Sequence, residues 1–199
     1  MGKEVQRRRD LIAATIREIG QHGTLNVTVG QIARRAGVSP GLAFHYFGDK
    51  EALFLATMRS ILRDYARDVR DALDTAQGSR ARLDAIIEAS FADSHFRDGA
   101  VAAWLNFYVL AQTSQEAARL LALYHRRLGS NLLHDLRPLA GDEAPAIAMR
   151  LAALIDGLYL RFALARGAVD AQPAADQVRA ALARELAACA HRGDSAVRL

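Results

Sequence analysis

Thr28-Val29-Gly30-Gln31-Ile32-Ala33-Arg34-Arg35-Ala36-Gly37-Val38-Ser39-Pro40 is the stretch whose reading decides the fold of this chain. Thr28 is chemically suited to cap a helix N-terminus, and Gln31, three residues on, can close a reciprocal capping box. Val29, Ile32, Ala33 and Ala36 then recur at the spacing of one buried helix face. Gly37 can take the left-handed conformation that ends a helix, because it has no Cβ to clash. Ser39 is a second N-cap and Pro40 fits the first position of the next helix, where no backbone N–H is required. Two short helices joined by a tight glycine turn predict a helix-turn-helix; an ordinary helical hairpin is the plainer alternative.

Working outward, Arg7 to Gln21 reads as a preceding helix, with Leu11, Ile12, Thr15, Ile16 and Ile19 on one side and Gly23 as its stop. The third helix runs to about Tyr46, with Phe44 and Phe47 read as core. Asp49 caps a long helix from Lys50 to about Ala76, and Gln77-Gly78-Ser79 breaks it. Helices follow near 80–95, 99–112, 115–137, 143–166 and 173–191, the separator after the third of these being Pro138 to Asp142, and the tail from Gly193 is expected to fray. The expectation is an all-α chain of about nine helices, with a helix-turn-helix head at 1–50 and a second domain at 51–199.

The charge distribution sharpens this division. Residues 1–50 hold eight basic side chains (Lys3, Arg7, Arg8, Arg9, Arg17, Arg34, Arg35, Lys50) and four acids (Glu4, Asp10, Glu18, Asp49), a surplus equal to the +4 of the whole chain. The remaining residues balance. A basic head on a neutral body implies a polyanion partner for the head and a different task for the body. With 51% hydrophobic and 24% charged residues the chain has enough apolar material for a core and enough charge to stay in solution. No apolar run reaches the roughly 18 residues of a membrane span, the polar, basic N-terminus is unlike a secretory signal, and one cysteine, Cys189, excludes an intrachain disulfide framework. These features place the chain in the cytoplasm. An enzyme finds little support: there is no phosphate loop, no metal-ligand spacing, no nucleophile elbow, and the six histidines form no i, i+4 pair. No cofactor or metal is expected.

The run Ile32-Ala33-Arg34-Arg35-Ala36-Gly37-Val38-Ser39, followed by Tyr46-Phe47 and Lys50, resembles the DNA-binding domain of the TetR family. The resemblance implies a transcription regulator, usually a repressor, that binds double-stranded operator DNA as a homodimer and leaves it when a small molecule binds. On that footing the third helix enters the major groove, which alone displays a full donor and acceptor code. Pro40, Gly41, Leu42 and Ala43 would face base edges, with His45 a turn further as a reader or a solvated polar residue. Thr28, Tyr46 and Lys50 would hold phosphates. The expected DNA-facing set is Thr28, Arg34, Ser39, Gly41, Leu42, His45, Tyr46 and Lys50. Arg7, Arg8 and Arg9 either reach the duplex or form a disordered start.

A narrower resemblance covers nearly the whole chain. Ala103-Trp104-Leu105-Asn106-Phe107-Tyr108, Ala152-Ala153-Leu154-Ile155-Asp156-Gly157-Leu158-Tyr159 and Phe44-His45-Tyr46-Phe47 are similar to the choline-responsive BetI-type repressors of the glycine betaine pathway. That implies repression of choline uptake and oxidation genes, relieved by choline; the alternative is a repressor of the same build that senses a hydrophobic or cationic drug or a fatty acyl compound. A quaternary ammonium donates no hydrogen bond and is held by aromatic faces and a nearby carboxylate. Phe91, Trp104, Phe107 and Tyr108 are the candidate rings, Asp93 and Asp156 the candidate charges. Asp156 sits mid-helix among apolar residues, so a partner is expected, with Arg161 or a neighbouring helix supplying it. Leu151, Ile155, Leu158 and Phe162, with Leu182 and Leu186 on the last helix, are the expected dimer interface, or else intrachain core.

Overall fold

The computed structural model describes residues 2–96, 99–165 and 171–196, the last four of these by backbone alone. Within them the chain forms nine α-helices and no strand: α1 Lys3–His22, α2 Val29–Arg35, α3 Pro40–Phe47, α4 Lys50–Thr75, α5 Ser79–Ser90, α6 Ala100–Leu110, α7 Gln115–Ala140, α8 Ala144–Ala163 and α9 Gln172–Ala196. Short 3-10 turns at Asp93–Phe96 and Gly141–Glu143 precede α6 and α8. The predicted all-α architecture is present. No described helix is long and apolar enough to cross a membrane.

Packing divides the chain into two units, Met1–Asp64 with Ser94–Ala122, and Tyr65–Asp93 with Leu123–Leu199. The first takes in the whole basic head and also α6. In α1 the buried positions Leu11, Ala14, Thr15, Glu18 and Ile19 follow the helical repeat, and α1 packs on both α2 and α6. Its contact with α6 is unusually close. A Cβ added at Gly20 would lie 2.4 Å from the Cα of Gly99, and one added at Gly99 would lie 2.5 Å from the Ile16 carbonyl oxygen. Gly99 also has φ +82, a conformation that side chains disfavour. Asn106 completes the clasp, its Nδ2 donating to the carbonyl of Gly23 just beyond α1 at 3.1 Å.

In the second unit, Leu83, Ile86, Ile87, Leu128, Leu132, Leu136, Ile147, Leu151, Ile155, Val178 and Leu182 are at most 1% exposed. Helices α8 and α9 pack together, and α9 packs on α5. Arg150 binds Glu185 through two hydrogen bonds of 2.6 and 2.7 Å across α8 and α9, and Arg179 pairs with Glu88 across α9 and α5.

Several expectations need correction. The first helix begins at Lys3, so Arg7, Arg8 and Arg9 are helical and not a disordered start. Pro138 does not end α7: the helix carries it in its last turn and stops only at Ala140. A proline there forgoes one hydrogen bond near an end that frays in any case. The predicted 80–95 helix stops at Ser90, and α9 continues to Ala196 where fraying was expected from Gly193. Arg97 and Asp98, between the predicted helices 80–95 and 99–112, and residues 167–170, between those at 143–166 and 173–191, lie outside the described residues.

Candidate nucleic-acid interface and effector site

The head is built by caps that the sequence supplies locally. Thr28 Oγ1 accepts from the Gln31 backbone N–H at 3.1 Å, and Gln31 Oε1 accepts from the Thr28 N–H at 2.7 Å. This is the full capping box. At the other end of α2, Gly37 stands at φ +67. The Val38 N–H donates to the Ala33 carbonyl at 2.9 Å and the Gly37 N–H to Arg34 at 3.1 Å, the bond pair of a Schellman motif. Ser39 Oγ caps α3 by accepting from the Leu42 N–H at 3.2 Å, and Asp49 Oδ1 caps α4 by accepting from Ala52 at 2.7 Å.

These caps fix which side of α3 is presented. Pro40, Gly41, Phe44 and His45 are exposed, at the i, i+1, i+4, i+5 positions of one face. Ala43 is 1% exposed and belongs to the core, so it is not a base-facing residue. Phe44 is corrected in the opposite direction. The sequence pattern predicts core, yet it is 48% exposed. A short apolar helix that must bury one face and offer the other to thymine methyls carries hydrophobic residues on both, and composition alone does not separate them. Thr28, Arg34 and Ser39 are exposed, whereas Leu42, Tyr46 and Lys50 are half-buried. Lys50 Nζ lies over the Phe54 ring, 5.3 Å from its centroid, so the ammonium itself rests near an aromatic face.

The arginines divide by task. Arg34 projects outward, while Arg35 donates to the buried Glu18 and to Gln21, tying α2 to α1. Arg8 turns inward. Its Nη1 donates to the Tyr46 carbonyl and its guanidinium carbon stands 4.5 Å from the Phe47 ring centroid. A cation there meets the negative end of the α3 dipole and an aromatic face together. Arg8 therefore braces α3 from behind, a role with no local signal because the partners are 38 residues apart.

The candidate effector residues fall in both units. In the first, Trp104 and Phe107 on α6 are 7% and 1% exposed; the Trp104 ring lies 5.9 Å from Phe107 and 5.6 Å, edge-on, from Tyr108. In the second, Phe91 is 5% exposed, and Asp93 is exposed at the start of its 3-10 turn. Asp156 has the expected partner on a neighbouring helix, and that helix is α7: Tyr124 Oη donates to Asp156 Oδ1 at 2.9 Å, and His125 Nε2 lies 3.6 Å from Oδ2. Arg161 is exposed and is not its partner among the described residues. Burial holds the Asp156 carboxyl above the usual carboxylate range, against the opposing pull of the Tyr124 hydrogen bond and the His125 charge. Tyr65, which the sequence did not single out, meets the Tyr124 ring edge-on at 5.6 Å and its hydroxyl pairs with Ser90 Oγ at 3.2 Å. Burial, with a smaller contribution from the Asp156 charge, pushes the Tyr65 hydroxyl up to about 12. A separate cleft of about 260 Å³ is lined by Leu73, Arg82, Ser130, Asn131, His134 and Asp135. Its lining holds no Trp, Tyr or Phe ring to face a quaternary ammonium.

The expected dimer residues also separate. Leu151, Ile155 and Leu182 are at most 1% exposed within the single chain. They are intrachain core, because a side chain with no surface left has nothing to give a second copy. Leu158, Phe162 and Leu186 keep part of their surface. Met149, at 69% exposed, and Ala153 and Gly157, also exposed, lie along the outer side of α8.

Comparison with known proteins agrees with the geometry. Residues 11–57 match the family described as bacterial regulatory proteins, tetR family, and residues 79–187 match the C-terminal domain of BetI-type transcriptional repressors. The HTH-type transcriptional regulator BetI of Agrobacterium fabrum is 53% identical over 165 residues, 82% of this chain and 80% of the relative. A transcriptional regulator from Pseudomonas aeruginosa PAO1 superposes with TM-score 0.83 at 29% identity, covering 96% of each chain. A regulator from Saccharomonospora viridis, solved in complex with choline, shares the fold with TM-score 0.73 at 20% identity, covering 87% of this chain and 94% of that one. The chain is thus a transcriptional regulator, not an enzyme, and belongs to the TetR family, with the C-terminal domain of its BetI-type repressors.

Proposed function

We propose that this protein represses the genes of choline uptake and of choline oxidation to glycine betaine, and that choline releases it from its operator. The observation that carries the reading is the identity of about half, over four-fifths of both chains, to a regulator named BetI. The choline complex of a protein of the same fold supports the class of effector. Two copies of the head would read two half-sites, α3 of each lying in a major groove. Gly41, Leu42, His45 and the exposed Phe44 would meet base edges, while Thr28, Arg34, Ser39, Tyr46 and Lys50 would hold the backbone. Thr28 and Lys50 are well suited to this, because they stand at helix starts where the dipole favours phosphate. The second copy would join along the outer side of α8, at Met149, Ala153 and Gly157, with Leu158, Phe162 and Leu186 at its margins.

Release follows from differential binding. Choline must favour the state that does not fit DNA; a coupling of about 2 kcal/mol lowers operator affinity roughly 30-fold. Helix α4, unbroken from Lys50 to Thr75, and the α1–α6 clasp are the proposed carriers. The test is a gel shift with the DNA upstream of this chain's own gene. Retardation that choline abolishes is the expected result. Retardation indifferent to choline but abolished by a drug or fatty acyl compound would replace the effector, and no retardation would remove the operator assignment.

A further inference from the structure

We propose that Asp156, held by the hydroxyl of Tyr124, whose ring meets that of Tyr65, is the seat of a quaternary ammonium cation. The inference deepens the choline reading above and rests on it for the identity of the natural effector, but its chemistry is independent of that name. All the groups belong to the second unit.

Asp156 keeps 24% of its side-chain surface open, yet among the described residues no lysine or arginine pairs with it. Its neighbours are a tyrosine hydroxyl on Oδ1 and the imidazole of His125 near Oδ2. A carboxylate drawn out of water without a permanent cation is electrostatically incomplete, as the upward displacement of its titration reports. A cation arriving at this carboxylate would complete it. Each oxygen already has a neighbour, so the site suits a cation that brings charge and asks for no hydrogen bond. A primary ammonium would need acceptors for three N–H groups and would compete with Tyr124 for Oδ1. A quaternary ammonium has none to satisfy. The phenol rings of Tyr65 and Tyr124, edge-on at 5.6 Å, supply the π-density that such a group prefers, and burial keeps the Tyr65 hydroxyl neutral. The Tyr124 hydrogen bond fixes the carboxylate, and the Ser90 hydrogen bond anchors the Tyr65 hydroxyl. His125 is 46% exposed and, when protonated, is the internal rival for the same charge.

The experiment compares choline, tetramethylammonium and 3,3-dimethylbutan-1-ol, the neutral carbon isostere of choline, by titration calorimetry on the full chain and on Asp156→Asn. The wild type is expected to bind both cations and to prefer choline over the neutral alcohol at least 30-fold. Asp156→Asn, which keeps the size of the group and an acceptor for Tyr124, is expected to lose at least 10-fold for both cations. Its preference for choline over the neutral alcohol is expected to fall by the same factor. Unchanged cation affinity in a variant that still binds the operator would overturn the site, as would a wild type that binds neither cation or does not discriminate against the alcohol. Asp156-dependent binding of tetramethylammonium with no release of operator by choline would leave the site standing and remove the choline reading alone.

Discussion

Gly99→Ala probes the close approach of α6 to α1. The new Cβ would meet the Ile16 carbonyl oxygen at 2.5 Å and the Gly20 Cα at 2.7 Å, both backbone atoms that cannot rotate aside. The residue would also hold φ +82, a left-handed conformation that costs a residue with a Cβ roughly 1–2 kcal/mol. Forcing an extra methyl group into a packed site adds about 1–3 kcal/mol. The sum, about 2–5 kcal/mol, is a large part of the 5–15 kcal/mol by which ordinary domains are stable. For a chain of this length it corresponds to a fall in Tm of roughly 5–20 °C. Gly20→Ala supplies the sign test. In an open helix position the exchange would stabilise by about 1 kcal/mol; here the Gly99 Cα at 2.4 Å reverses it. Thermal and urea unfolding of both variants and of the double variant is the assay. The two changes should be strongly non-additive, since either alone already pushes α6 off α1. A Gly99→Ala protein that melts with the wild type, or a Gly20→Ala protein that melts higher, would refute the clasp.

Four further outcomes are expected. Lys50→Ala weakens binding to every duplex and lowers the slope of log affinity against log salt by about one, as the loss of one phosphate contact requires; an unchanged slope removes it from the backbone. Arg8→Ala, which frees the end of α3 without touching phosphate, lowers operator affinity about 10-fold through the loss of one charge-assisted hydrogen bond and leaves that slope intact. Phe44→Ala reduces specific affinity by about 1–2 kcal/mol, taken from half of a phenyl burial, and leaves binding to unrelated duplex as it was, measured by anisotropy on both DNAs. Asp156→Asn raises Tm at neutral pH. The folded pKa of Asp156 is raised, so its favourable contribution is complete below the unfolded value and is lost as pH rises through the folded one; the advantage of the variant should shrink as melting is repeated towards acid.

The head was legible because its determinants are local. Thr28 with Gln31, Ser39 with Leu42 and Gly37 with Arg34 act within three residues, so capping chemistry can be read along the string. The reading failed where two environments ask for the same residue type. Phe44 and Ala43 are both apolar, and only the assembled head shows that the larger one faces out. Leu151, Ile155 and Leu182 suit a chain's own core as well as a partner's surface, and the packing of α8 and α9 chose the core. Asp156 was marked by its apolar setting, but Tyr124 lies 32 residues away and Tyr65 on a different helix again. Their convergence is tertiary and leaves no spacing to recognise. Arg8 was hidden by its neighbours, since three consecutive arginines look alike until one is found turned inward.

The bare ring of Phe44 has a cost away from the operator. A phenyl group half in water, at the tip of a small basic head, is adhesive towards any apolar surface that comes near, and the surrounding cations that repel other heads do nothing to shield it from membranes or unfolded chains. Swapping it for a polar residue should make the protein easier to concentrate and store while blunting its choice of sequence. Solubility and discrimination therefore pull in opposite directions at this one position, and an engineer who improves the first without measuring the second will select against the regulator.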